Sequence, residues 1–310
     1  MTVAQPLTPP LDPQLITVDG AYQVWTRKIG HGPITLLLLH GGPGCTHEYF
    51  ECFEQWLSPE AYTFYYYDQL GSFYSDQPDD ASLWTVERFR EEVEQVRAGL
   101  GLEQFYLFGN SWGGMLGIEY ALKYQQHLKG LIVSNMTASI ADYVGYINEL
   151  RGRMPAEDVA TMQRFEASGD LEDPEYQALL TQLYNQHICR LVPWPEPVQR
   201  MFGHLAAPVY TTMQGPNEFV VTGNFKDWNR WADLHRIMVP TLLSVGRHDS
   251  MRPADIEAMG RLIPKSRVSI CENGSHLSMW DDPETYFTAL KGFLAEVEEG
   301  QAIAAAAGAR

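Results

Sequence analysis

Apolar residues along this chain fall into two rhythms. Short continuous runs, Ile34–Leu39 and Tyr62–Tyr67, suit strands buried on both faces. Gln104–Phe108, Leu131–Ser134, Thr241–Val245 and Arg267–Cys271 read the same way. Between them lie longer stretches with helical spacing: Val86–Leu100, Gly113–Tyr124, Pro253–Ile263 and Pro283–Glu298. Near the start, Leu15–Val18 and Tyr22–Thr26 flank Asp19-Gly20, which reads as a hairpin because Asp-Gly accepts the positive φ angles of a tight turn. Strands alternating with helices imply a mostly parallel sheet with helices on its faces.

The rhythm breaks between Ser139 and Trp228, where short amphipathic stretches are interrupted by Pro155, Pro174, Pro193, Pro195 and Pro197. The alternation then resumes. This predicts a core in two parts, residues 1–138 and 229–310, interrupted by a helical cap over residues 139–228. No internal repeat of solenoid period is present.

Composition narrows the partners. The 310 residues carry Lys+Arg 22 against Asp+Glu 39, a formal net charge of −17. A chain so acidic lacks the basic footprint that nucleic acid or anionic lipid requires. Its 45% hydrophobic and 12% aromatic content is that of a packed globular protein. The first residues, MTVAQPLTPPLDP, hold no basic residue and no apolar run, so they read as neither a secretory nor a transit leader. The apolar runs are too short to span a bilayer. Cys45, Cys52, Cys189 and Cys271 are scattered, which suits free thiols in a reducing cytoplasm better than a disulfide framework. Cys45 reads as a packed small residue rather than a reactive thiol. The tail after Glu299 is expected to fray or to extend the last helix. A cytoplasmic monomer or small homo-oligomer is the expectation.

Chemistry enters at Gly109-Asn110-Ser111-Trp112-Gly113, a G-x-S-x-G motif between a buried strand and a helix. That context is the one a nucleophile elbow needs, with small residues on either side of an outward-facing Ser. An active serine needs a base, and the base needs an orienting carboxylate. Asp249 follows the strand at Thr241–Val245, and His276 follows the strand at Arg267–Cys271. Both stand where the ligand crevice of an open α/β sheet lies. His248 competes as base, but it adjoins the acid in sequence and is expected to point elsewhere. His127 and His235 read as surface or packing residues. A developing oxyanion needs aimed N–H groups. Trp112, just after the Ser, supplies one, and Gly42 in His40-Gly41-Gly42-Pro43-Gly44 is assigned the other. No zinc-protease helix, phosphate loop or dinucleotide fingerprint is present, so neither metal nor cofactor is expected.

These motifs, with Tyr67-Asp68-Gln69, resemble those of the α/β-hydrolase-fold proline iminopeptidases. Tyr184-Asn185-Gln186-His187, Gly215-Pro216-Asn217-Glu218-Phe219 and Lys226-Asp227-Trp228 resemble the tricorn-associated branch, and within it the bacterial L-proline amide hydrolases or L-amino acid amidases. The resemblance implies a cofactor-free serine hydrolase acting on a small amino acid amide or a short peptide, with L-prolinamide foremost. It implies Ser111 as nucleophile, Asp249 as acid, His276 as base, Gly42 and Trp112 as oxyanion donors, and Glu218 as the carboxylate that grips the substrate amine. The alternatives are a proline iminopeptidase acting on peptides, an esterase, and a non-catalytic binding protein of the same fold. Two departures stand out. Ser250 replaces a second amine-binding Glu after the acid, and Leu70-Gly71-Ser72-Phe73 replaces the family's Arg-Gly-x-Gly.

Overall fold

The computed structural model describes residues 13–308, with side chains to residue 300. The reading of the first dozen residues therefore lies outside the described residues. Eight strands form one sheet: β1 (Gln14–Val18), β2 (Tyr22–Gly30), β3 (Ile34–Leu39), β4 (Tyr62–Asp68), β5 (Phe105–Asn110), β6 (Leu128–Ser134), β7 (Thr241–Gly246) and β8 (Ser266–Cys271). Their order is β1-β2-β4-β3-β5-β6-β7-β8. Pairing is antiparallel from β1 to β4 and parallel from β4 to β8. The first hairpin turns where expected, with Asp19 at φ 52° and Gly20 at φ 67°.

Alternation along each strand sorts the core into two layers. Leu37 and Leu39 face one side with Leu107, Val133 and Leu243, under helices Val86–Gly99, Trp112–Tyr124 and Pro253–Leu262. Leu36 and Leu38 face the other side with Phe108, Ile132 and Leu242, under helix Pro283–Gly308. Strands buried on both faces need continuous apolar runs, which is why β3 and β7 read so plainly in the sequence. The chain tail continues the last helix to Gly308.

Between β6 and β7 the chain leaves the sheet. Helices Ile140–Arg151, Ala156–Ser168, Pro174–His187, Glu196–Gly203 and Ala207–Met213 occupy this segment. Their ends follow local chemistry: Ser139 caps the first, Asp173 caps the third with Pro174 behind it, and Gly169 at φ 75° closes the second. The segment's two ends meet. Ile140 N–H donates to Trp228 O at 3.0 Å, and Arg230 N–H to Ala138 O at 2.8 Å. Its far side is tied to the core by Arg200, which pairs with Glu48 and Glu51 at 2.6 Å each. No described helix is long and apolar enough to cross a membrane.

Candidate active site

The elbow is built by excluding side chains. A Cβ on Gly109 would lie 1.9 Å from Gly113 O, and one on Gly113 would lie 2.1 Å from Leu39 O. Ser111 sits between them with φ 55° and ψ −125°, a conformation L residues rarely adopt. It is held there by Ser111 N–H on Ser134 O at 2.9 Å and by Gly114 N–H on Ser111 O at 2.7 Å.

The loop after β3 lies directly on this turn. A Cβ on Gly41 would approach Ser111 Cβ to 3.2 Å. Gly42 stands at φ 105°, where a side chain is strained. Among the described residues neither Gly42 N–H nor Trp112 N–H donates to any protein group. Both remain free for a ligand oxygen, as an oxyanion hole requires. Gln69 braces this loop. Its N–H donates to His40 Nε2 at 3.0 Å, its Nε2 to His40 O at 3.1 Å, and its Oε1 accepts the Trp112 indole N–H at 2.8 Å. Burial holds His40 down at about 4, so it is a neutral strut with Nδ1–H on Gly41 O.

Asp249 and His276 come together from the ends of β7 and β8. His276 Nδ1 lies 2.7 Å from Asp249 Oδ1. The same oxygen accepts Met251 N–H at 3.0 Å, and the other oxygen accepts Asn135 Nδ2–H at 2.6 Å. Burial depresses the His276 pKa, but Asp249's charge and hydrogen bond outweigh it, with Glu218 and Asp281 adding, so the net shift is upward. Nε2 is the nitrogen left for Ser111. His248 is exposed, as expected of a residue that points elsewhere.

Glu218 joins them across the cavity from the segment between β6 and β7. Its carboxylate accepts Tyr210 Oη–H at 2.5 Å, while Tyr143 Oη–H is shared between the Glu218 backbone carbonyl and the carboxylate, the latter at 3.1 Å. Burial, reinforced by Glu218, pushes both phenols up, so both stay protonated donors. Among the described residues no Lys, Arg or His pairs with Glu218. Ser111, His276, Glu218 and Gly42 line one pocket, walled by Ile188, Met201, Phe202 and Leu205. A second shares Ser111, Gly42 and Glu218 and is floored by Met115, Met136, Ile140, Phe225 and Met251. Cys45 also lines the first pocket, but burial and then Glu218 push its thiol well up, so it is no ready nucleophile.

The family model of the α/β hydrolase fold matches residues 34–283. A proline iminopeptidase of Flavobacterium johnsoniae is 46% identical over 288 residues, covering 91% of this chain and 97% of its own. One from Saccharolobus solfataricus is 39% identical over 264 residues, covering 84% and 85%. The chain belongs to the proline iminopeptidase family of α/β hydrolases. Among solved structures, the proline iminopeptidase of Mycobacterium smegmatis superposes with a TM-score of 0.86 at 30% identity, covering 94% of this chain and 100% of its own. VinJ superposes with a TM-score of 0.89 at 34% identity, covering 93% and 100%. The names of these family members favour the peptidase alternative over the amide hydrolase that the sequence put first.

Of the residues singled out in the sequence, Ser111, Gly42, Trp112, His276 and Glu218 line these two pockets, and Asp249 stands behind His276. Asn135, Tyr143, Tyr210 and Gln214 were not singled out. Asn135 carried a usable signal, since it directly follows β6 at the crevice end of the sheet. The others sit in the irregular segment, where spacing says nothing about which way a side chain faces.

Proposed function

We propose that the protein is a serine hydrolase that cleaves the amide bond after an N-terminal residue with a free amine, releasing N-terminal proline from short peptides. The carrying observation is one pocket lined by a strained Ser, by a His backed by a buried Asp, and by a carboxylate with no cation of its own among the described residues. In this reading residues 139–228 are a cap. Glu218 is half-buried and is met by neutral phenols rather than a cation among the described residues, so an ammonium arriving with the substrate would supply its counter-charge. Glu218 would hold the ammonium, and the apolar residues lining the second pocket would face the proline ring. Gln214 lines that pocket with its Nε2 buried and unpaired among the described residues, a further polar contact beside Glu218.

Ser111 Oγ attacks the carbonyl carbon as its proton passes to His276 Nε2. The carbonyl oxygen, now negative, meets the N–H groups of Gly42 and Trp112. The C–N bond breaks as His276 returns that proton to the leaving amine. Water then adds to the acyl-enzyme by the same route in reverse, freeing Ser111. Asp249 steadies the imidazolium in both halves.

A second reading, hydrolysis of L-prolinamide and related L-amino acid amides, is favoured by Ser250. It puts a hydroxyl where the resembled branch carries a second amine-binding Glu, so the substrate amine meets one carboxylate fewer, which is compatible with a shift from peptides to small amides. A panel of a prolyl dipeptide, L-prolinamide and N-acetyl-L-prolinamide separates the readings by kcat/KM. The dipeptide should lead. N-acetylation should remove turnover, and equal cleavage of the acetylated amide would sink the amine anchor. Ser111→Ala should abolish all of it.

A further inference from the structure

Behind the His–Asp pair lies Asn135, buried completely and left-handed at φ 56°. Its backbone is fixed by N–H on Ser244 O at 2.7 Å. Its carboxamide has only one workable orientation. Oδ1 accepts Ser134 Oγ–H at 2.6 Å and Asn110 Nδ2–H at 3.3 Å. Nδ2 must then face two acceptors, Asp249 Oδ2 at 2.6 Å and Ser275 O at 3.1 Å. Among the described residues Asn135 is the only partner of Asp249 Oδ2.

The chain of bonds continues past Asn110, the residue before Ser111. Asn110 Oδ1 accepts Tyr49 Oη–H at 3.1 Å, and Tyr49 Oη accepts Gly41 N–H at 2.8 Å. One hydrogen-bonded line thus runs from the loop carrying Gly42, past the elbow, to the acid and the backbone beside His276. Each link is buried, so no water competes for it.

We infer that Asn135 is a positioning residue that fixes the Asp249 carboxylate for His276. This rests on the reading of Ser111, Asp249 and His276 as the catalytic groups. No other side chain of this size fits. The site demands a donor toward a carboxylate, an acceptor toward two donors, and a left-handed backbone that Asn tolerates. An Asp here would set an oxygen against Asp249.

The test is a double-mutant cycle with Asn135→Gly and Asp249→Ala, read on prolyl 4-nitroanilide, with Ser111→Ala alongside. Gly keeps the left-handed backbone and deletes the carboxamide. In the native background Asn135→Gly should lower kcat on the order of tenfold or more, with KM changed by less than about twofold. In the Asp249→Ala background the same change should alter kcat by less than about twofold, because no carboxylate remains to be held. Equal losses in both backgrounds would make Asn135 merely structural and overturn the inference, as would an undiminished kcat in the native background. If the Gly variant does not fold, Asn135→Asp enters the same cycle with the same criteria. An active Ser111→Ala would overturn the catalytic reading itself, whereas an inactive one with an additive cycle overturns the role of Asn135 alone.

Discussion

Two His–Asp pairs of nearly equal geometry are buried among the described residues. His276 Nδ1 stands 2.7 Å from Asp249, and His47 Nδ1 stands 2.9 Å from Asp68. Both aspartates are fully buried. What separates the pairs is what surrounds the ring. His47 stacks on Trp25 at 4.4 Å between centroids, with Tyr66 and Tyr74 beside it, and lines neither cavity at Ser111. His276 opens onto the cavity that Ser111 and Glu218 line. Two titratable side chains in contact do not make a catalytic pair. The outward face of the imidazole decides.

Removing each histidine should split activity from stability. His276→Ala should cost on the order of 10⁴-fold or more in kcat, with a smaller loss of stability than at His47 because Asp249 keeps the Met251 N–H and Asn135 Nδ2 donors on its two oxygens. His47→Ala should do the reverse, leaving Asp68 buried without its partner and costing about 3 kcal/mol of stability, while the folded fraction keeps kcat within a few-fold. Comparable kcat losses in both variants would break the distinction.

Glu218→Gln comes next in size. It should raise KM for substrates with a free amine by about ten- to a hundredfold. A simple aryl ester without an amine should be hydrolysed at an unchanged rate, so a parallel loss on the ester would remove Glu218 from amine recognition.

The pairs should also differ in pH. The His276 pKa is raised, so its protonation contributes stability that is complete below the unfolded value and fades as pH rises through the folded one. Turnover needs the neutral ring, so kcat/KM should fall as pH drops through that raised value, above the ordinary 6.5. Asp68 is opposite in sign. Burial raises its pKa, but His47's charge and hydrogen bonds more than offset this, leaving it below 3.8. Its contribution is present above the unfolded value and is lost as pH falls through the folded one. Rate should therefore fail on acidification before the structure does, and unfolding that tracks the rate would contradict the assignment.

The smallest effect belongs to Ser250. Its Oγ lies 3.4 Å from both Asp249 Oδ1 and His276 Nδ1, at the outer limit of a hydrogen bond. Ser250→Ala should change kcat by less than about threefold. A larger loss would show that the pair leans on this hydroxyl.

The sequence made the His276 pair legible and left the His47 pair unremarked, for a physical reason. Ser111, Asp249 and His276 each follow a strand whose apolar run is unmistakable, so position on the sheet gave them a direction. Gly42 and Gln69 lay in compact motifs for the same reason. Glu218 came only through family likeness, because a carboxylate in a turn is ordinarily solvated. Its phenolic partners, Tyr143 and Tyr210, stand 75 and 8 residues away, and nothing local announces that they converge. Strand centres were placed well, but ends were not. The strand begun at Leu131 starts at Leu128, and the one ended at Phe108 continues to Asn110. Terminal residues there are held by neighbouring strands rather than by their own propensity.

The glycine packing at the elbow bears on how this protein could be redesigned. Beneath Ser111 even a methyl group meets backbone at about 2 Å, so the floor of the site offers no position to vary. Overhead, Met201 and Phe202 from a short helix and Leu205 from the loop after it line the same space. A library aimed at new substrates belongs on that roof. The chemistry beneath would be inherited unchanged, and selection would act on shape alone.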